Sequence, residues 1–199
     1  MSVAEVVIGA ADHYARAELV TLALEDGAPV FLDRRRVALV GKDFPIAPYH
    51  HEALEMDLEA AADLVNRVRR SVAEHARAAI STMLAAYRAQ VLILPASPYD
   101  RLPDSLEEVL SSRPLTLAAD GMLYREFLAE AAAGLGMEVR RFPRRSDPIV
   151  LAAEAIGVDV ASVTSLIARF GREAGAPWRK DHKLAAAAAL SVLGRRIHH

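Results

Sequence analysis

The chain has 199 residues, which suits one domain of moderate size with a real core. Its formal net charge is -2, so no global positive field attracts nucleic acid, and any site for a polyanion has to be a local patch. The sequence contains no cysteine, which excludes disulfides, thiolate zinc sites and cysteine nucleophiles.

Three strands are predicted in the first forty residues. Small and β-branched residues from Val6 to Ala11 predict a buried strand, and alternating apolar residues over 18–24 predict a second. Asp26-Gly27 is a strong hairpin signal. Residues 28–40 then predict a third strand, either continuous or interrupted at 33–36. Three strands joined by tight turns indicate an antiparallel meander.

Helices and strands alternate in the rest of the chain. Apolar residues recur at three- and four-residue steps from Leu54 to Met83, which predicts a helix about 45 Å long. This is longer than a small sheet needs, so we expect a homodimer through its distal half, near 72–87. The further predictions are a strand over 90–94, a short helix capped by Asp104 or Ser105, a helix from Ala119 to Leu135 with Asp120 as its cap, a strand over 137–142, and helices over 148–156, 159–171 and 181–193.

Several classes of protein are disfavoured by missing patterns. There is no Walker phosphate loop, no paired-glycine dinucleotide fingerprint and no Gly-x-Ser-x-Gly elbow. Neither a signal-peptide pattern nor an apolar run of 18 residues is present, so we expect a cytoplasmic protein without membrane contact. We expect one domain over 1–197 and interpret His198-His199 as a remnant of a purification tag.

Three polar clusters each join a carboxylate to imidazole. They are Asp12-His13, His50-His51-Glu52 and Asp181-His182. The predicted elements place them at a strand end and at two helix starts, where they could converge at one end of the sheet. Carboxylates suit hard divalent ions and imidazole admits manganese or zinc, so the clusters are candidate ligands. The metal ligands would be Asp12, Glu52, Asp181, His13 and His51.

The catalytic candidates are Asp12, Glu52, Asp181 and His182, with the histidine as an outer ligand or general base. Arg125, Lys180 and Lys183 could hold phosphate oxygens. Each acid also has a structural interpretation: Asp12 could cap a turn, Glu52 could serve a helix dipole, and Asp181 could cap the last helix.

Other features carry similar alternatives. The runs Arg34-Arg35-Arg36, Arg140-Arg141 and Arg144-Arg145 are either local anion patches or solvated strand ends and loops. Trp178 either stacks on a base or anchors the last helix.

The order of strand, strand, strand, long helix, strand, helix, strand and C-terminal helices resembles the ribonuclease H-like superfamily, including its Holliday-junction resolvase branch. The resemblance implies an α/β fold with a mixed five-stranded sheet. It also implies a divalent-metal-dependent phosphodiesterase or nuclease acting on nucleic acid, with Mg or Mn. Asp12, Glu52 and Asp181 stand where that superfamily places acids. The sequence also resembles an uncharacterised bacterial group with the runs Asp-Arg-Arg-Arg-Val, His-His-Glu and Trp-x-Lys-Asp-His-x-x-Ala.

One expected acid is missing from the pattern of the resemblance. The superfamily usually carries an acid after the fourth strand, whereas the chain there has Pro95-Ala96-Ser97-Pro98-Tyr99, and the first acid is Asp100. Two hypotheses therefore stand. One is a metal-dependent nuclease, and the other is a catalytically inactive ribonuclease H-like module for binding or assembly.

Overall fold

The computed structural model describes residues 5–197. Its first three strands form an antiparallel meander and are β1 (Glu5–His13), β2 (Arg16–Glu25) and β3 (Ala28–Ala38). The strands β4 (Val91–Pro95) and β5 (Glu138–Phe142) lie beside β1 in parallel, which gives the order β3-β2-β1-β4-β5. The predicted mixed five-stranded sheet is confirmed.

Within residues 5–197, six α-helices and one 3₁₀ turn connect and cover these strands. They are the 3₁₀ turn Glu52–Glu55, α1 (Leu58–Tyr87), α2 (Leu106–Leu110), α3 (Arg113–Gly134), α4 (Pro148–Ile156), α5 (Val160–Ala174) and α6 (Lys180–Ile197). Side chains cap several helix starts, because Ser105, Asp147 and Asp159 each accept a backbone N–H of the first turn. Ser105 is one of the two residues predicted to cap α2.

The sheet separates two hydrophobic cores. On one face α1 and α3 pack with Ile8, Ala10 and Leu92, and on the other face α4, α5 and α6 pack with Val7 and Ile93. Because successive strand residues point to opposite faces, β1 sends its even-numbered side chains toward α1 and α3. Its odd-numbered side chains point toward α6. This alternation continues past the core to the end of β1.

The helix α6 lies directly against β1. A Cβ atom at Gly9 would stand 1.9 Å from the carbonyl oxygen of Ala185, so only glycine fits at this crossing. Residues 185–189 of α6 are all alanine and all buried, and these small side chains keep the helix close to the sheet. The start of α6 is thereby held beside the end of β1.

Four expectations need correction or qualification. The third strand runs without a break through 33–36. The helix α3 begins at Arg113, so Asp120 lies in its interior and does not cap it, and α6 continues past Gly194 to Ile197. The apolar residues of distal α1 (Val72, Ala76, Ile80 and Met83) are buried in the chain's own core. The homodimer through 72–87 stays a prediction.

Residues 198–199, interpreted as a tag remnant, lie outside the described residues. Within 5–197 no single helix is long and apolar enough to cross a membrane. By length and composition alone, α4 and α5 would pass together as a pair bent by 106°.

Candidate functional site

The carboxyl end of β1 holds a buried ion pair. Asp12 points to the face of α3, and Arg125 of that helix donates from Nε to Oδ1 at 3.1 Å and from Nη2 to Oδ2 at 2.9 Å. The side chains of Asp12 and Arg125 are only 3% and 12% exposed. Nη1 of Arg125 also donates to the carbonyl oxygen of Ala96, directly after β4, at 3.2 Å. One guanidinium therefore bridges the ends of two neighbouring parallel strands.

The next residue of β1 points to the opposite face. His13 approaches the first turn of α6, where its Nε2 lies 2.9 Å from Oδ2 of Asp181. This pair is open to solvent, with side chains 41% and 28% exposed. Two of the three predicted acid–histidine clusters are thus brought together, although Asp12 and Asp181 engage different partners on the two faces of the sheet.

Two cavities, of about 760 and 440 Å³, meet at this edge and share Asp12, His13, Arg125 and Arg144 among their lining residues. We call them together the edge groove. The larger cavity is lined by Tyr14, Tyr99 and apolar residues of α3. The smaller cavity is lined by residues at the starts of α4 and α6. Asp12 and Asp181 both line the smaller cavity.

Basic side chains outnumber acidic ones in the lining of the edge groove. They are Arg16, Arg125, Arg144, Arg145 and Lys180, and all except Arg125 are exposed. The three acids in the lining are already engaged: Asp12 by Arg125, Asp181 by His13, and Asp147 by the backbone N–H of Ile149. A chain that is slightly acidic overall therefore carries a local excess of positive charge at this edge.

The third predicted cluster has a different function in the fold. Asp120 is completely buried in α3 and accepts the backbone N–H groups of Tyr49 and His50, each at 3.0 Å. The Nδ1 atom of His50 lies 2.6 Å from the same carboxylate. Burial raises the pKa of Asp120, while these hydrogen bonds oppose the rise. Asp120 thus ties the loop before α1 to α3.

The remaining two candidates of that cluster follow this loop. His51 is exposed and its ring contacts that of His50, with centroids 3.9 Å apart. Glu52 lies in the 3₁₀ turn and does not line the edge groove. Its charge reaches Tyr124, where burial first, then the charge of Asp120 and, among smaller effects, that of Glu52 raise the pKa of the phenol. Among residues 5–197, Glu52 forms no group with Asp12 and Asp181 that could hold a metal ion.

The other predicted residues lie along the first turn of α6. His182 is buried, its Nδ1 accepts the N–H of Arg179 at 3.0 Å, and its Nε2 lies 3.1 Å from Glu18. Trp178 stacks on its ring and meets Phe31 edge to face, as expected of a side chain that anchors the last helix. Lys180 lines the edge groove, whereas the exposed Lys183 does not.

Comparison with known proteins gives matches among solved structures alone. No protein-family model and no curated protein matches the chain. RuvC of Thermus thermophilus aligns with a TM-score of 0.55 and 15% sequence identity over 97% of this chain and 96% of that one. T. thermophilus RuvC in complex with Holliday junction substrate aligns with a TM-score of 0.57 and 15% identity over 96% and 95%. The chain has the ribonuclease H-like fold. The predicted architecture is confirmed.

The ribonuclease H-like resemblance implied a divalent ion held by Asp12, Glu52, Asp181, His13 and His51. Over residues 5–197, no three histidine or acidic side chains form a group that could hold a metal ion. Both oxygens of Asp12 accept from a guanidinium, whose charge repels a cation, and Glu52 does not line the groove that holds Asp12 and Asp181. In this arrangement the predicted ligands do not fit a magnesium or manganese centre.

Sequence reasoning missed the partner of Asp12 and, of the groove's basic lining, Arg16. Arg125 was proposed as a phosphate ligand, but it is held by Asp12, 113 positions away in the chain. Arg144-Arg145 was visible as a basic run, and the structure places it in the lining of the ribonuclease H-like sheet edge. Arg16 and Tyr99 carried no signal, because each stands alone in the sequence.

Proposed function

We propose that the chain binds the sugar–phosphate backbone of nucleic acid in the edge groove and does so without cleaving it. The observation that carries this proposal is a groove lined by basic side chains whose central acid, Asp12, is already neutralised by Arg125. Exposed Arg16, Arg144, Arg145 and Lys180 are then available for phosphates, since contacts from lysine and arginine supply most of the affinity for a nucleic acid backbone.

Aromatic side chains support the same proposal. Tyr14 and Tyr99 line the larger cavity, and Tyr99 is 41% exposed. Tyr14 is half-buried, so the exposed ring of Tyr99 is the one that offers a stacking surface for an unpaired base beside the basic residues. The T. thermophilus RuvC structure of the same fold holds a Holliday junction substrate, which makes branched DNA the first ligand to test on this chain.

The absence of cleavage rests on the position of Arg125. Metal-dependent nucleases use cations to neutralise the phosphodiester and to activate a water. Here a guanidinium spans Asp12 and the carbonyl of Ala96 at the strand ends, and no acid follows β4 before Asp100. A fixed guanidinium can bind a phosphate, but its pKa is too high for it to take a proton from water.

The second candidate function is cleavage of nucleic acid with Mg or Mn. It is favoured by one observation, namely that Asp12 and Asp181 line the same cavity of about 440 Å³. It requires Arg125 to release Asp12 when an ion arrives. Lys180 and His182 would then stand beside the site as a phosphate ligand and as a positioning group.

The deciding experiment measures binding and cleavage together. A four-way DNA junction, duplex DNA, and single-stranded DNA and RNA are titrated with the protein at several salt concentrations, in chelator and then in Mg²⁺ or Mn²⁺. We expect binding in chelator and intact substrate in metal. The slope of log K against log salt is negative, and each phosphate contact contributes about 1 to its magnitude. The double variant Arg144→Glu and Arg145→Glu should therefore reduce the magnitude of this salt slope by about 2.

A matched control keeps the change of charge but moves it away from the groove. Arg70→Glu with Arg77→Glu reverses two exposed charges on α1 and should leave most of the salt slope intact. Equal losses in both double variants would overturn the proposed groove. Cleavage in metal that disappears in Asp12→Asn and Asp181→Asn would replace the binding proposal with the nuclease.

A further inference from the structure

A second cluster of cations lies on the α6 face of the sheet, apart from the edge groove. Arg34 and Arg36 of β3 and Arg179, which precedes α6, line a cavity of about 290 Å³ together with Glu18, Pro177 and His182. We call these three arginines the arginine cluster. The lining comes from β2, β3 and residues 177–182, so the meeting of Arg179 with the run Arg34-Arg35-Arg36 was not visible in the sequence.

One carboxylate lies among these cations; its Oε1 is hydrogen-bonded, whereas its buried Oε2 has no hydrogen-bond partner among residues 5–197. Glu18 is 1% exposed, with Nε of Arg36 at 2.5 Å from Oε1 and Nε2 of His182 at 3.1 Å from Oε2. The neighbouring Asp33 is directed away, since it accepts from the N–H of Arg34 and from Nε of Arg35. The cavity therefore keeps an excess of positive charge after Glu18 is paired.

The imidazole in the cavity wall is held neutral. Nδ1 of His182 accepts the backbone N–H of Arg179, so the single proton of the neutral ring is on Nε2, which lies 3.1 Å from Oε2 of Glu18. Burial lowers the pKa of His182, and the charges of Arg34 and Arg36 lower it further, while Glu18 and Asp181 oppose them. His182 thus organises the wall of the cavity and adds no positive charge of its own.

Arg34 has an unmet hydrogen-bond donor. Its Nη2 donates to the carbonyl oxygen of Ala176 at 2.9 Å, whereas Nη1 is buried and has no hydrogen-bond partner within residues 5–197. A buried guanidinium N–H without an acceptor is unfavourable, and an oxyanion in the cavity would supply the acceptor. Arg36 and Arg179 are exposed and can close on the same anion.

We propose that the arginine cluster binds a phosphate group. The start of α6 connects the cluster to the edge groove, because Lys180 and Asp181 line the groove while Arg179 and His182 line the cluster cavity. A nucleic acid strand that leaves the groove across the start of α6 reaches the cluster with its next phosphates. This source of the phosphate rests on the proposed function, whereas binding of free phosphate does not.

The chain provides its own probe for the test. Trp178 is the only tryptophan, and its ring stacks on His182 at 5.5 Å with 15° between the planes. Its fluorescence is therefore recorded while inorganic phosphate is added, with sodium chloride of equal ionic strength as the reference. We expect a saturable change with phosphate that chloride does not reproduce. A response identical in the two salts would overturn the proposal.

Variants assign the response to the cluster. Arg34→Gln with Arg179→Gln should abolish the saturable change, while Arg70→Gln with Arg77→Gln should retain it. Thermal unfolding checks that the first pair folds. Should it fail to fold, Arg34→Lys is used, and we expect weaker phosphate binding because lysine cannot donate in the forked geometry of arginine. Retention of the full phosphate response in a folded cluster variant would contradict the assignment.

Nucleic acid then distinguishes the source of the phosphate. If the backbone is the source, Arg34→Gln with Arg179→Gln lowers the salt slope of junction binding by about 2, in addition to the loss in Arg144→Glu with Arg145→Glu. A phosphate response with unchanged junction binding supports the site with free phosphate as its ligand. A phosphate response in a protein that binds no nucleic acid supports the cluster and removes the proposed function.

Discussion

Two aspartate–histidine pairs of the same chemistry have opposite surroundings. His13 and Asp181 meet at 2.9 Å in the edge groove, with side chains 41% and 28% exposed. His50 and Asp120 meet at 2.6 Å with side chains 16% and 0% exposed, and Asp120 accepts two backbone N–H groups in addition. The first pair is open to a ligand, whereas the second is fully occupied in holding the loop before α1 against α3.

The contrast teaches that residue type does not decide the role of such a pair. An exposed pair gains little net free energy, because water screens both charges and already solvates them. A buried carboxylate has to be satisfied by several donors, and removing it leaves each of them without a partner. The predictions below test this difference, beginning with the largest effect.

Replacing the buried carboxylate should cause the largest loss of stability. Asp120→Ala leaves the N–H groups of Tyr49 and His50 and the His50 ring without their acceptor, so we expect the free energy of unfolding to fall by about 3–4 kcal/mol. Urea unfolding followed by circular dichroism measures the change. Asp120→Asn should lose less, since one oxygen remains and no charge is buried.

The exposed pair supplies the matched control. Asp181→Ala removes the same type of side chain from the same type of partner, and we expect a change within about 1 kcal/mol. If the two alanine variants lost equal stability, the distinction between the open and the buried pair would be wrong.

The predicted and observed positions of Asp120 show what the sequence can and cannot predict. Asp120-Gly121 after two alanines is typical of a helix start, yet the helix begins seven residues earlier, and the carboxylate faces a loop about 70 positions away. By contrast Ser105, Asp147 and Asp159 were predictable caps, because their partners lie two or three residues away. Local hydrogen bonds are therefore accessible to sequence reasoning.

In the edge groove, too, local structure could be predicted from the sequence, whereas contacts between distant residues could not. Strand periodicity and helix stripes predicted the sheet, and hence that Asp12 and Asp181 would approach one edge. Whether their oxygens would be free was not predictable, because Arg125 and His13 reach them from other elements. The strand alternation decided the outcome, since it sends Asp12 and His13 to opposite faces.

The buried Asp12–Arg125 pair extends the comparison into the groove itself. Arg125→Gln leaves Asp12 with an uncompensated charge at 3% exposure, so we expect a loss of about 2–3 kcal/mol by urea unfolding. Adding Asp12→Asn to this variant should recover part of that loss, because the unpaired charge is then removed. A double variant that is less stable than Arg125→Gln would contradict a pair held together by charge.

The same variant sharpens the question of metal. With Arg125 gone, Asp12 and Asp181 line a cavity that contains one fewer cation, and we expect Mn²⁺ to raise the melting temperature of Arg125→Gln but not that of the wild type. Stabilisation of the wild type by Mn²⁺ to the same extent would indicate that Arg125 does not exclude the ion.

A third histidine–carboxylate contact predicts a dependence on pH. Burial lowers the pKa of His182, which is neutral beside Glu18. Above pH about 6.5 neither the folded nor the unfolded chain holds this proton. Below that pH the unfolded chain binds it first, so the free energy of unfolding falls until the folded pKa is reached, by about 1.4 kcal/mol for each unit between the two pKa values. His182→Gln should show a smaller loss between pH 7 and 5.

The smallest expected effects are on nucleic acid binding, and they should differ between Lys180 and Lys183 in the first turn of α6. Lys180 lines the edge groove and Lys183 does not, although both are exposed. Lys180→Ala should therefore lower the salt slope of junction binding by about 1, while Lys183→Ala leaves it unchanged. Neither change should alter stability by more than about 0.5 kcal/mol, since no buried partner is lost. Equal effects of both lysines would mean that the strand lies across the outer face of α6, so that the groove beside Asp12 would not be the binding surface.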